Sequence, residues 1–193
     1  DTTTPVLFEK CLGVAPDATI IYDISGLNAV KFDSDIGVEF TKLGPWQQQG
    51  GSENTVYGRC QFEIYADGVQ IYKSELLNPT NGRHISVDIP EGTKELKLVN
   101  KAYGSATGND PNTNFASDSE WGNPLLVLEK DTEELILSDM EWVSAKHYND
   151  AHGAAFGVQK NHCSEYPWYC DTPGDPSTEQ ERYPGSGIYM NGD

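Results

Sequence analysis

The stretch 60–77, CQFEIYADGVQIYKSELL, leaves its chain little choice of conformation. Two short alternating runs flank Asp67-Gly68, and Asp-Gly in that setting is a strong hairpin signal because both turn residues take positive φ. Alternation puts Phe62, Ile64 and Ala66 on one face, opposite Val69 and Ile71. Glu63, Tyr65, Gln70 and Tyr72 line the other face. Similar strand-like runs recur at 19–24, 36–40, 84–89, 95–100, 124–129 and 134–143, separated by Gly, Asn, Pro and Ser. No segment holds a 3.6-residue apolar period beyond two turns. The pattern predicts an all-β fold, an antiparallel sandwich. Two long loops, 41–55 and 102–124, stand out; loops of that length in a compact domain are either functional or disordered.

The charge narrows the partners. With 30 acidic residues against 13 basic ones, the net charge is -17. Nucleic acid is not an expected partner, since phosphate binding needs a positive field. No run is long and apolar enough to suggest membrane insertion. With 37% apolar residues the chain can bury a core, so the acidity reads either as a solvated surface or as carboxylates around a hard cation.

The cysteines at 11, 60, 163 and 170 form no C-x-x-C motif, which argues against a zinc ribbon or thioredoxin-type site. Cys163 and Cys170 bracket SEYPWY, a loop short enough to staple, leaving Cys11 and Cys60 as the second pair. The expectation is two disulfides and an oxidising compartment, against the plainer reading of four buried thiols. No signal-peptide pattern occurs, which suits a secreted, extracellular protein in its mature form.

Five segments in order carry a family resemblance: FEKCLGVAPDATIIYDISG, IGVEF, CQFEIYADGVQIYKS, KELKLVNKA and SDSEWGNPLLVL. Together they resemble the NPCBM domain, or carbohydrate-binding module family 51, over residues 8–128. The resemblance implies a galactose-binding-like jelly roll, a β-sandwich that carries no catalysis and is appended to secreted glycoside hydrolases. It implies a glycan ligand with galactose-type sugars favoured, and calcium in a structural role. LSDMEWVSA at 137–145 is similar to the family's opening strand, yet here it follows the closing one. The reading is therefore one module over residues 1–193, circularly permuted, with 134–193 supplying that strand and a loop-rich segment. The alternative is one module plus the head of a tandem copy. GVAP and SDSEWGN depart from the family's GVHA and DHADWAD, so those positions carry no inherited role here.

A sugar site needs an aromatic face for the pyranose C–H patch and amides or charges for the hydroxyls. Trp46 in GPWQQQGG, with Gln47 and Gln48 beside it, fits that recipe, as does Trp168 inside the Cys163–Cys170 loop. Local packing is the competing reading for both. His147 and Tyr148 border the same rim, while Trp121 and Trp142 sit in apolar contexts and are expected in the core. For calcium, the oxygen donors Asp110, Asp118, Glu120 and Asn123 fall in one loop region without EF-hand spacing. His147, His152 and His162 match no transition-metal pattern. No nucleophile elbow, P-loop or dinucleotide turn occurs. Two further functions stay open: a structural or adhesion sandwich without sugar binding, and a small glycosidase using two of the many carboxylates.

Overall fold

The computed structural model describes residues 8, 10–14, 17–38, 59–78, 80–103, 119–129, 134–146 and 158–160. These form strands β1 (Cys11–Val14), β2 (Thr19–Asp23), β3 (Ala29–Val38), β4 (Cys60–Ala66), β5 (Val69–Lys73) and β6 (Arg83–Asp88). Strands β7 (Glu95–Ala102), β8 (Ser119–Leu128), β9 (Glu134–Ile136), β10 (Ser144–Lys146) and β11 (Val158–Lys160) follow. The one helical element among the described residues is a 3-10 turn at Leu137–Asp139. None of these elements is a helix long and apolar enough to cross a membrane.

All pairing is antiparallel. One sheet runs β11-β1-β8-β3-β6 with β9 also paired to β8, and the other runs β10-β2-β7-β4-β5. Alternation along each strand sends one set of side chains between the sheets. Leu12, Val14, Phe32, Ile36 and Leu126 meet Ile20, Phe62, Ile64, Leu96 and Leu98 there. Trp121, fully buried, is the centre of this layer. Its ring stands edge-to-face with Phe62 at 4.9 Å and Phe32 at 5.8 Å between centroids. Its indole N–H donates to Asn100 Oδ1 at 2.7 Å, and Asn100 Nδ2 donates to Ser119 Oγ at 3.0 Å. The polar atoms that come with a buried Trp and Asn are thereby satisfied inside the core. Trp142 is half-buried against the same cluster.

The hairpin forms around Asp67 (φ 46°) and Gly68 (φ 81°), as its sequence demands. Its register differs from simple alternation by one residue. Ile64 pairs with Tyr72 and Tyr65 with Gln70, so Ile71 is the extra residue of a β-bulge. Tyr72 therefore joins the inner side, and Lys73 rather than Tyr72 stands beside Glu63 on the outer face.

Three further expectations change. The run 134–143 is a strand only to Ile136, because the 3-10 turn ends it and sinks Leu137 into the core. Glu120 to Asn123 belong to strand β8, not to a loop. Gly122-Asn123-Pro124 reads like a turn, yet Asn123 and Pro124 form a bulge opposite Ser34, with Asn123 at φ 44°. Ser34 Oγ closes it by donating to the Gly122 carbonyl at 2.8 Å. The expected Cys11–Cys60 disulfide is not formed; both are buried thiols. Cys11 pairs with Gly122 on the outer side of the six-stranded sheet, while Cys60 points between the sheets towards Asn100. With a sheet between them, the two sulfurs face different layers. Burial pushes the Cys60 thiol up to about 12, so it is an inert core group.

Residues after 134 supply strands to both sheets. β9 pairs with β8, β10 with β2, and β11 with β1. Lys160 Nζ donates to the Met140 carbonyl at 2.6 Å and lies 4.6 Å from the Trp142 ring centroid, and Lys10 bonds Asp139 at 2.7 Å.

Candidate functional site

The residues that sequence reasoning assigned to sugar binding, Trp46, Gln47, Gln48, His147, Tyr148 and Trp168, all lie outside the described residues. So do Asp110, Asp118, Cys163 and Cys170. Of the calcium set, Glu120 and Asn123 remain. Glu120 is fully buried on the outer side of β8, with Gly13 of β1 and Gly37 of β3 directly opposite it. Next on that side is Gly122, whose missing Cβ would lie 2.7 Å from the Phe8 ring. Glycines in strand interiors mark places where another part of a molecule comes close. Asn123 is exposed, three residues along an extended strand from Glu120, or roughly 10 Å between Cα atoms. Carboxylate and amide oxygens suit a hard cation in kind. Among the described residues no three His, Cys, Asp or Glu side chains gather as a metal cluster.

The most developed polar constellation lies on the outer face of the five-stranded sheet, centred on Glu63 of β4. This carboxylate is 1% exposed, although its strand faces solvent. Tyr65 O–H donates to Oε2 at 2.6 Å, and Lys101 Nζ donates to Oε1 at 2.9 Å. Lys73 Nζ stands 3.6 Å from the same Oε1. Burial alone would push the Glu63 carboxyl up, but the bonds from Tyr65 and Lys101 and the charges of Lys101 and Lys73 outweigh it and hold it below its usual range. The same hydrogen bonds raise Tyr65 and Lys101. Lys97, opposite Tyr65, lies 4.3 Å from the centroid of its ring. Gln61 and Tyr103 extend the face, with Tyr103 O–H donating to Gln61 Oε1 at 3.2 Å.

Sequence reasoning did not single out this group, though a signal existed. Lys97 and Lys101 share a face by period two, and Glu63 and Tyr65 share another. What the sequence lacked was the strand order that sets β4 between β5 and β7.

A cleft of about 200 Å³ lies at the opposite end of β8 from Ser119, lined by Asn28, Ala29, Val30, Ile89, Glu91, Gly92 and Glu129. Its two carboxylates and small apolar floor include no aromatic ring, so it lacks the stacking surface of the sugar recipe.

Comparison with known proteins gives one family. The NPCBM/NEW2 domain model matches residues 2–126. No curated protein matches the chain. Solved structures similar to it include the catalytic domain of Clostridium perfringens ZmpB with its two family 51 carbohydrate-binding modules. That one is 22% identical with a TM-score of 0.45, and the match covers 63% of this chain and 11% of that one. The family 51 module from a C. perfringens family 95 glycoside hydrolase, in complex with methyl-galactose, is 25% identical with a TM-score of 0.46. Its match covers 63% of this chain and 72% of that one. The tandem family 51 modules of a Streptococcus pneumoniae family 98 glycoside hydrolase are 25% identical with a TM-score of 0.47, over 64% of this chain and 33% of that one.

Proposed function

The chain belongs to the NPCBM/NEW2 domain family, and from that premise we propose that it is a non-catalytic carbohydrate-binding module. It holds a secreted glycoside hydrolase, or a cell surface, close to a glycan with galactose-type residues. The observation that carries the reading is the family match over residues 2–126, set on two antiparallel sheets packed on one core. Single modules of this kind bind weakly, and multivalency in a multimodular parent supplies avidity.

Trp46 and Trp168 are the proposed stacking residues, with Gln47, Gln48, His147 and Tyr148 as hydroxyl partners. A buried ring face contributes about 0.5–3 kcal/mol. Replacing the true platform by Ala weakens methyl-galactoside binding at least ~10-fold in titration calorimetry and leaves the melt in place. If the wild-type protein binds nothing on a glycan array, the reading fails. Release of reducing sugar from a bound glycan would instead favour a small glycosidase.

Calcium is proposed in a structural role, with Glu120 and Asn123 among its ligands and Asp110 and Asp118 completing the oxygen set. The ion would neutralise carboxylates and tie the segment before β8 to its strand. An ion bound only by the folded state raises the melting temperature by mass action. Chelation should therefore lower the melt of the wild type and leave that of Glu120→Gln unmoved. Equal melts with and without chelator remove calcium from this account.

The pairing of β9, β10 and β11 into both sheets supports reading 134–193 as part of the same permuted module. Removing 134–193 then abolishes cooperative unfolding, since β1, β2 and β8 each lose a hydrogen-bonded neighbour.

A further inference from the structure

The centre of the outer face of the five-stranded sheet, around Glu63, gathers more cations than anions. One carboxylate, Glu63, faces two ammonium groups on the same oxygen, at 2.9 Å and 3.6 Å. Lys97 adds a third cation one register step away, over the Tyr65 ring. Around Glu63 there are three cations to one anion, on a chain whose net charge is -17. Asp23 and Glu95, paired with each other, lie beyond Lys97 at the far end of the face and close it off. Lys73 and Lys101 remain about half exposed, at 50% and 47%, so their charges are open to a partner.

From this geometry we propose that the Lys73–Lys97–Lys101 face docks a linear anionic polysaccharide, its carboxylates or sulfates bonded by the ammonium groups. The choice of a glycan rests on the module reading above; the choice of an anionic one rests on the charge of the face. Lys97 and Lys101 sit four residues apart on β7, roughly 13 Å along the strand. That spread suits an extended polymer better than one small anion. Tyr65 and Gln61 lie in the same rows, but Lys97 covers the Tyr65 ring and the Gln61 amide is held by Ser74 and Tyr103, so the ammonium groups carry the recognition. Glu63 is the positioning residue. It draws Lys101 and Lys73 together, and its charge offsets part of theirs, which a neutral Gln would not.

The test uses the whole chain with two probes, heparin (sulfated) and polygalacturonate (carboxylate only), and methyl-galactoside as the neutral control. Binding is measured at low salt and again at physiological salt. The expected result is binding of at least one polymer that weakens steeply with salt, as screened surface charges require. Preference for heparin or for polygalacturonate identifies sulfate or carboxylate as the group read. Lys97→Gln makes no demand on the Glu63 bonds, and should weaken the polymer roughly 3- to 10-fold without altering the melt. Glu63→Gln should tighten it by a similar factor, because two lysines lose their internal counter-charge; a purely structural Glu63 would move only the melt. Methyl-galactoside binding should be equal in all three proteins. If neither polymer binds the wild type, or if binding ignores both substitutions, the inference is overturned. Should methyl-galactoside bind while both polymers do not, this inference falls and the module reading stands. Binding of a polymer without methyl-galactoside sustains the face and removes the galactose preference.

Discussion

Two buried glutamates, one on the outer side of each sheet, are kept in opposite ways. Glu63 is ringed by side chains of its own sheet, with Tyr65, Lys73 and Lys101 all at or near bonding distance. Glu120 has glycine opposite it on both neighbouring strands, and the glycine two residues on lies against Phe8. One sheet face is thus a finished ionic surface whose cations still reach water. Around Glu120 the other face presents glycines on three strands, so that another part of the molecule can lie close. Charged partners meet the first; the second serves packing, or the proposed ion. Identical residue types with identical burial therefore carry different meanings, and the neighbours decide which.

The largest effect should come from filling the glycine-lined place beside Glu120. Gly122→Leu puts a side chain where the Phe8 ring lies; the backbone there is not left-handed, so the cost is collision, roughly 3 kcal/mol. Urea unfolding measures it. An unchanged midpoint would mean that Phe8 yields freely and the two faces differ less than their glycines suggest.

On the ionic face the loss is smaller, because half-exposed lysines return to water when their partner goes. Glu63→Ala should cost about 1–2 kcal/mol, most of it the Tyr65 bond and the vacated volume. A cost as large as that of Gly122→Leu would show that the lysines are more dependent on Glu63 than their exposure implies.

Acid titration separates the glutamate's charge from its bulk. The native Glu63 carboxyl is held below its ordinary value, so the folded state binds fewer protons than the unfolded one. Its stabilisation is complete above the ordinary carboxylate range, near ~pH 4.3, and is lost as pH falls through the lowered native value. The wild-type melt should therefore fall more steeply than that of Glu63→Gln below ~pH 4. Parallel acid branches would count against an ionised Glu63. The smallest change is Lys97→Gln, which removes one half-buried surface cation–π contact, worth about 0.5 kcal/mol; differential calorimetry should find the two melts nearly superimposed.

Much of the sandwich was legible because its strands alternate and its turns use residues with one conformational purpose. Asp67-Gly68 is the clearest case. The errors arose where local chemistry serves two ends. Gly122-Asn123-Pro124 has the composition of a turn but forms a bulge inside β8, because Ser34 across the ladder supplies the bond that holds it. Ile71 does pack against the core, as alternation suggests, but only the pairing with β4 shows it to be the extra residue that turns Tyr72 inward as well. The strands Ser144–Lys146 and Val158–Lys160 are too short to alternate, and exist because β2 and β1 offer open edges. Cys11 and Cys60 fell to elimination among four cysteines, a method blind to which side of a sheet each one faces. For the site, the residue types were readable but their convergence was not: Glu63 meets Lys73 across a hairpin and Lys101 across a long connection, and only strand order brings both to one oxygen.

The pairing of β1 with β11 has a consequence for how the chain reaches this state. Leu12 finds Lys160 and Trp121, so the first described strand waits for partners made much later. Contacts so distant in sequence are slow to form, because loop closure must precede any gain from them. During synthesis, Cys11–Val14 is an uncapped apolar ribbon until the far part of the chain emerges. The hairpin at Asp67-Gly68, by contrast, closes within a few residues and offers β7 a template. Folding on the ribosome should start in the five-stranded sheet and finish at the edge of the other, and a nascent chain stalled before residue 119 should expose β1 to chaperones or to another chain's edge.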